Sequence, residues 1–335
     1  MKSILYIGNK LQNKTSNISS IHILGDLLSG EGYTMYYAST VSNKVLRLLD
    51  MILALLRRVR KVDVVIIDTY STHNFYFALI ISQLCRLFRR DYIPSLNGGN
   101  LPARLKKHPK MCGLIFNHAK CSVSPSLYLK NSFKNYGYDN VKYIPNTLKI
   151  ENYQVYPKSY EAPKLLWVRS FSKIYNPKLA IHVFAKLKTL YPEAELCMVG
   201  PDSDGTLKQI EDLVKSLKLN VKLTGKLSKT EWIRLSKAYN IFINTTNFDN
   251  TPVSVIEAMA LGLPVVSTNV GGMPFLISND DAGILVQPNN QDEMIEAIVQ
   301  LLNDKAKREK IIKNARAQVE QFDWENVKKL WIKIL

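Results

Sequence analysis

What most limits the architecture of this chain is an alternation: short apolar runs bounded by turn residues, each followed by a stretch of helical period. In the first half the runs are Ser3 to Ile7, Thr34 to Ala38, Val62 to Ile67, Tyr92 to Leu96, Cys121 to Ser124 and Val141 to Ile144. In the second half they are Leu165 to Val168, Glu195 to Val199, Val221 to Leu223, Asn240 to Asn244, Pro264 to Ser267 and Gly283 to Val286. Strands that alternate with helices pair in parallel, because each crossover must return over the sheet. The expected fold class is therefore α/β: two doubly wound, Rossmann-like domains facing across a cleft. Residues Asn146 to Pro163 lack apolar periodicity and are rich in Tyr, Lys, Asn and Pro, so they read as the linker. This places the first domain at 1–155 and the second at 156–318. Residues 319–335 close the chain with a helix whose Trp324, Val327, Leu330, Trp331 and Ile334 form one apolar stripe, expected to bury against the first domain.

Composition excludes several classes. With 46% hydrophobic and 22% charged residues among 335, the chain can bury two cores and is neither collagenous nor disordered. Cysteines at 85, 112, 121 and 197 supply neither a disulfide framework nor a C-x2-C pair, so reduced thiols are expected. Histidines at 22, 73, 108, 118 and 182 lack the close spacing of a metal pair, and no metal is expected. The apolar stretch Ile4 to Gly8 is too short for a signal-peptide core, and no segment reaches the ~20 apolar residues of a membrane span. A cytoplasmic location is the expectation.

Charge is where this composition departs from the ordinary. The formal charge is +17, and residues 1–150 hold 21 Lys and Arg against 7 Asp and Glu. The basic half is expected to face something anionic. Residues Lys44 to Lys61, KVLRLLDMILALLRRVRK, read as a basic amphipathic helix, with more cations at Arg86, Arg89, Arg90, Arg104, Lys106, Lys107 and Lys110. Two readings fit this helix. It can rest on an anionic bilayer, making the protein peripheral at the inner face of the cell membrane. Alternatively it packs its apolar face on the sheet and leaves Arg57, Arg58, Arg60 and Lys61 in water.

Doubly wound sheets bind ligands at the carboxyl ends of their strands, which directs attention to the loops after Ile7, Val168, Val199, Leu223 and Asn244. The last of these leads into TPVSVIEAMALGLPVV. Thr251 suits a helix N-cap, Pro252 the first helical position and Gly262 the C-terminal cap. Between Pro252 and Val266 the one ionisable side chain is Glu257, set among Val253, Val255, Ile256, Ala258, Met259, Leu261 and Leu263. A carboxylate in such surroundings is costly unless donors reach it, from a protein partner or from a ligand. The start of that helix offers unpaired N–H groups to an anion.

Asp249, seven intervening residues, Glu257-Ala258-Met259-Ala260, Gly262 and Pro264-Val265-Val266 together resemble the signature of the retaining glycosyltransferases of family 4, which have the GT-B fold. The likeness continues in the strand ending at Gly8, in Val123-Ser124 with Ser126, and in Ile144-Pro145-Asn146. It extends to Val199-Gly200-Pro201, Leu223-Thr224-Gly225, Gly271-Gly272 and Phe322-Asp323-Trp324-Glu325. The resemblance implies that Glu257 accepts hydrogen bonds from the ribose of a sugar nucleotide. It implies that Asp249, in place of the usual Glu, lies at the donor sugar, that Asn250 and Thr251 occupy the loop whose backbone N–H groups contact sugar and phosphate, and that Pro252 lies beside them at the donor. Arg169 and Lys173 match the cations that neutralise the departing diphosphate, although the Gly that normally precedes the Arg is absent. Gly8 and Asn9, with Gly200 and Gly225, fall at donor-binding turns. Asn97, Gly98 and Gly99 fall on the acceptor side, Asn97 standing where a His is common. Phe275 replaces a family Glu after Gly271-Gly272.

The reading these implications give is transfer of a sugar from a nucleotide-sugar donor to a glycan or lipid-linked acceptor, in surface polysaccharide or glycolipid synthesis, with no cofactor and no nucleic-acid partner. Asp202-Ser203-Asp204 has the D-x-D spacing of a metal–diphosphate site on another fold, yet reads here as a polar turn or helix cap. Two rival classes stay open. One is a sugar-nucleotide epimerase on the same scaffold. The other is a non-catalytic binder of nucleic acid or anionic membrane, which explains the basic half and leaves the buried Glu257 unexplained.

Overall fold

The computed structural model describes residues 2–11 and 20–335. These form two compact units, Met1–Pro145 with Trp324–Leu335, and Asn146–Asp323. In the first unit the elements run β1 (Ser3–Ile7), α1 (Ser20–Gly30), β2 (Thr34–Ala38), α2 (Lys44–Arg58), β3 (Val64–Thr69), α3 (Asn74–Leu87), β4 (Asp91–Leu96), α4 (Leu101–Lys107), α5 (Pro109–Phe116), β5 (Ser122–Ser124), α6 (Leu127–Asn135) and β6 (Val141–Tyr143). The second unit has β7 (Lys164–Val168), α7 (Pro177–Leu190), β8 (Glu195–Val199), α8 (Thr206–Ser216), β9 (Lys222–Leu223), α9 (Lys229–Leu235), β10 (Ile241–Asn244), α10 (Val253–Ala260), β11 (Val265–Thr268), α11 (Met273–Leu276), β12 (Ile284–Val286), α12 (Gln291–Asn303) and α13 (Lys305–Glu320). Helix α14 (Trp324–Ile332) belongs to the first unit.

Each unit is built on a six-stranded sheet, ordered β2-β1-β3-β4-β5-β6 in the first and β12-β11-β10-β7-β8-β9 in the second. The strand pairs are all parallel. Strands covered on both faces read as continuous apolar runs, as in Val64-Val65-Ile66-Ile67. Alternate residues then go to opposite cores. Leu5 and Ile7 pack with α2, α3 and α5, while Ile4 and Tyr6 pack with α1 and α14. Strand order reverses between β1 and β3 in one sheet and between β7 and β10 in the other. Such reversals open a crevice at the carboxyl ends of the strands, the place where doubly wound sheets take ligands.

The division at Pro145 falls ahead of the expected residue 155, for a packing reason. Leu148 and Tyr153 join the apolar cluster around α10, and Ile150 N donates to the Asp323 carboxylate at 2.8 Å. The segment read as a linker is thus fastened to the second unit from its start. Helix α14 buries Trp324, Val327 and Trp331 in the first unit's core, and the Trp324 indole N–H donates to Glu31 at 2.9 Å. Leu330 of the expected stripe lies outside it, 37% exposed.

Helix α2 departs from the arrangement in which its apolar face lies on the sheet. Met51, Ala54 and Leu55 do face the core, but Val45, Leu46, Leu49, Leu53 and Leu56 are 45–70% exposed. Arg47 is turned inward instead, and its guanidinium donates to the carbonyls of Val41 and Ser42 and to Asn9 Oδ1. The helix has more apolar residues than one face can bury, and the surplus points outward. Among the described residues no helix is long and apolar enough to cross a membrane.

Candidate active site

The crevice of the second sheet gathers most of the residues singled out in the sequence. Arg169 leaves the end of β7 and Asp249 lies in the loop after β10, on either side of the strand reversal. Arg169 Nη2 makes an ion pair with Asp249 Oδ2, and the guanidinium stacks on Tyr175 with its centre 4.0 Å from the ring. Burial pushes the Arg169 pKa below its usual value, and neighbouring Tyr175 partly restores it. Its Nε is buried with no hydrogen-bond partner among the described residues. An orphaned donor on a cation costs free energy until an acceptor arrives.

Two glycines hold Asp249 in place. A Cβ on Gly271 or Gly272 would run into the carbonyls of Asp249 and Asn250, and Gly272 N donates to the Asp249 carbonyl at 2.9 Å. Gly271 also has φ +55°, a conformation costly for any residue with a side chain. The same loop is tied to the turn before α7: Asn247 N donates to the Ile174 carbonyl at 2.8 Å, and the Thr245 hydroxyl to the Tyr175 carbonyl at 2.9 Å. Gly200 N donates to the Gly225 carbonyl at 2.9 Å, so these two glycines close the neighbouring strand ends upon each other.

Helix α10 begins one residue later than expected. Pro252 is itself the N-cap, with extended ψ 117°, and the Thr251 side chain does not cap. Proline supplies no capping oxygen, and the amides of Thr251, Val253 and Ser254 donate no hydrogen bond to the described residues. The Ser254 hydroxyl is likewise buried without a partner among the described residues. The helix ends as the sequence indicates, with Leu263 N donating to the Ala258 carbonyl around Gly262.

Glu257 is 4% exposed, and two of its donors come from the protein, so a ligand is not needed to satisfy it entirely. The Tyr153 hydroxyl donates to Oε1 at 2.7 Å, and Lys229 Nζ lies 2.7 Å from the same oxygen. Oε2 receives no hydrogen bond from the described residues. The carboxylate is therefore held on one side and bare on the other.

Lys173 stands apart from this group. It is exposed on a short turn, and no hydrogen bond or ion pair joins it to Arg169, Asp249 or Glu257. The turn is fixed by Asp204, whose Oδ2 accepts from the Ser172 hydroxyl at 2.9 Å and from Lys173 N at 3.1 Å. Asp202 Oδ1 accepts from Gly205 N at 3.0 Å, which makes the D-x-D stretch the polar entry to α8. Among the described residues no group of three or more His, Cys, Asp or Glu is placed to hold a metal.

A second polar cluster lies at the strand reversal of the first sheet. Gly8 ends β1 there, and Asp68 near the end of β3 accepts from the Tyr6 hydroxyl at 3.0 Å and from Asn97 Nδ2 at 2.7 Å, both on Oδ1. Asp68 Oδ2 is buried and has no partner among the described residues. A Cβ on Gly8 would overlap that oxygen, so Gly8 clears space for the carboxyl. Burial raises the Asp68 pKa to about 7 in spite of the hydrogen bonds from Tyr6 and Asn97, which lower it. Ser20, the first residue of α1, donates to Asn97 Oδ1 at 3.2 Å. Gly98 packs on the backbone of Tyr70 and Ser71, where a Cβ has no room.

Sequence reasoning passed over Asp68, Tyr153, Tyr175 and Lys229. Asp68 has a signal in hindsight, a lone acid closing the otherwise apolar run VVIID. Tyr153 and Lys229 are 104 and 28 positions from Glu257, and nothing local marks them.

Two parallel doubly wound units in one chain, the second with a cation, an acid and an open helix start at its strand reversal, define the GT-B class of glycosyltransferases. The chain belongs to the family Glycosyl transferases group 1, whose model matches residues 148–318. It is similar to the sulfoquinovosyl transferase SQD2 of Arabidopsis thaliana, 35% identical over 140 residues that cover 40% of this chain and 26% of that one. The chain thus matches only about a quarter of that relative's length. Its fold is shared with sucrose-phosphate synthase from Thermosynechococcus elongatus, at TM-score 0.84 and 18% identity over 100% of this chain and 99% of the other. Anabaena HepE, solved in complex with UDP-glucose, gives TM-score 0.81 and 17% identity, with 99% of each chain covered.

Proposed function

We propose that this protein is a retaining glycosyltransferase of family 4 that moves a sugar from a nucleotide-sugar donor to a glycan or lipid-linked acceptor in surface polysaccharide or glycolipid synthesis. The observation that carries the reading is the bare Oε2 of Glu257, one turn beyond the unpaired amides that open α10. A ribose hydroxyl completes that carboxylate, and a diphosphate fits the amides and the unpartnered Arg169 Nε. The complex of HepE with UDP-glucose supports a sugar-nucleotide donor, and the name sulfoquinovosyl transferase supports transfer of a glycosyl group.

In the reaction the anomeric carbon–oxygen bond to the diphosphate breaks, and the acceptor hydroxyl oxygen bonds to the same face of the sugar. The hydroxyl proton passes to the departing diphosphate. Arg169 and the start of α10 stabilise the charge that builds on that group, usually a large share of catalysis. Asp249 orients Arg169 through their ion pair and meets the sugar. Gly200, Gly225, Asn250 and Thr251 shape the donor pocket of the second unit, and in the first unit Gly8 and Asn9 form a donor-binding turn. Asn97, Gly98 and Gly99 serve the acceptor, and Lys173 adds positive charge at the rim. The domain roles follow: acceptor side in the first unit, donor side in the second.

Thermal denaturation with a panel of UDP-, GDP- and ADP-sugars tests this. At least one donor is expected to raise the melting temperature of the wild type, because a ligand that binds only the folded chain stabilises it. Glu257→Gln is expected to shrink the shift given by the best donor. An undiminished shift removes ribose recognition from Glu257, and no shift with any donor removes the reading.

The partner surface proposed for the first unit is an anionic membrane, with the protein peripheral on its cytoplasmic side. The outward leucines of α2, flanked by Arg57 and Arg58, support it. Leu87 and Phe88, 73% and 41% exposed beside Arg86 and Arg89, continue the same chemistry at the end of α3. Apolar side chains with cations at their edge suit the boundary between acyl chains and acidic head groups. Vesicles of phosphatidylglycerol with phosphatidylcholine are expected to sediment the protein, and the double substitution Leu49→Ser, Leu53→Ser to weaken binding by about tenfold or more. Binding to neither anionic nor neutral vesicles removes the membrane from the proposal.

A further inference from the structure

A carboxylate that is to accept a pair of ribose hydroxyls must present the right oxygen in the right direction, and a glutamate side chain turning freely about its last bond presents either. In the second unit that freedom is absent. Oε1 of Glu257 holds both the Tyr153 hydroxyl and the Lys229 ammonium at 2.7 Å, which leaves Oε2 as the one acceptor on offer.

The two donors differ in kind. Lys229 sits at the first position of α9 with its side chain 43% exposed, so it neutralises charge and can move. Tyr153 is 2% exposed and lies in the apolar cluster that surrounds α10. Its backbone is clamped as well. Arg316 on α13 donates through Nη1 to the carbonyls of Tyr153 and Ala260, both at 2.5 Å, and so joins the Tyr153 segment to the far end of α10. Tyr153 N donates to the Ile150 carbonyl at 3.0 Å, and Ile150 N is held by Asp323. Burial, and then the facing Glu257 carboxylate, push the phenol pKa far up, so the hydroxyl stays a donor.

We propose that Tyr153 is a positioning residue for nucleotide recognition: its clamped hydroxyl locks Oε1 of Glu257, assisted by Lys229, and thereby aims Oε2 at the ribose 2′- and 3′-hydroxyls. This rests on the reading of Glu257 as the ribose acceptor. It assigns the choice of ribonucleotide over deoxyribonucleotide to a residue that touches neither base nor sugar. An oriented acceptor gains specificity because its freezing cost is met before the ligand binds.

Isothermal titration of the full chain with UDP, GDP and ADP, and with their 2′,3′-dideoxy counterparts, tests the assignment on wild type, Tyr153→Phe and Lys229→Met. Wild type is expected to bind its preferred diphosphate about tenfold more tightly than the dideoxy form. Tyr153→Phe is expected to weaken the ribose form about fivefold and leave the dideoxy form within about twofold, since one oriented hydrogen bond is lost. Lys229→Met keeps a part of the discrimination. If Tyr153→Phe weakens both forms equally, or neither, Tyr153 has only a packing role and the inference is overturned. A wild type that binds both forms alike, or binds no diphosphate, removes the ribose reading of Glu257 itself and this inference with it.

Discussion

Replacing Arg169 by Ala is expected to lower kcat for transfer by about 10²–10³-fold, the cost of removing one preorganised stabiliser of developing charge. The guanidinium is preset by two restraints, the ion pair with Asp249 and the stack on Tyr175. On the proposed mechanism it therefore needs little reorganisation as a diphosphate departs. Because that charge is larger in the transition state than in the bound donor, kcat should fall more than the donor KM rises. Arg169→Lys should recover only part of the rate, since an ammonium lacks the planar fork that Asp249 and a phosphate share. Steady-state kinetics with the donor chosen by thermal shift decide the matter. A kcat within about threefold of wild type for Arg169→Ala would show that the cation is structural.

The second large effect concerns stability and pH. An ordinary Asp loses its proton near 3.8, whereas Asp68 keeps its own until about 7. Between those values the folded chain holds a proton that the unfolded chain has released. Stability from this group is fully present below the lower value and is lost as pH rises through the upper one. From pH 5 to pH 8 the loss amounts to about 2–3 kcal/mol, at 1.36 kcal/mol for each pH unit below the folded value. Asp68→Asn retains an oxygen for Tyr6 and Asn97 and has no charge to bury. Urea denaturation at pH 5 and pH 8 is therefore expected to show the variant gaining about that much on wild type at the higher pH. Identical pH dependence in the two proteins would mean that Asp68 is solvated or paired in solution.

Almost all of the sheet architecture was legible in the sequence. β1, β2 and β8 occupy the residues read for them, and the other strands shift by no more than about two positions, the usual uncertainty at element ends. Strands buried on both faces advertise themselves, because nearly every residue is apolar. The α10 region was legible for a similar reason, Glu257 being the one acid within a greasy segment. What escaped notice depends on tertiary proximity. The Tyr153 and Lys229 donors to Glu257 come from distant segments, and the Asp68 network joins β1, β3 and β4. The direction of α2 was ambiguous because a helix with apolar residues over more than one face has no unique inward side. Only the neighbouring surfaces of the sheet and α3 decide which leucines remain outside.

The last helix carries a consequence for how the chain comes off the ribosome. Trp324, Val327 and Trp331 fill the core of the first unit, while everything from Asn146 to Asp323 belongs to the second. The second unit's segment is thus made before the first unit receives helix α14. Until that helix is made, Ile4, Ile66 and Ile93 lack the part of their apolar cover that Trp324, Val327 and Trp331 supply. Deleting Trp324–Leu335 will therefore be felt in the unit made from the amino-terminal half.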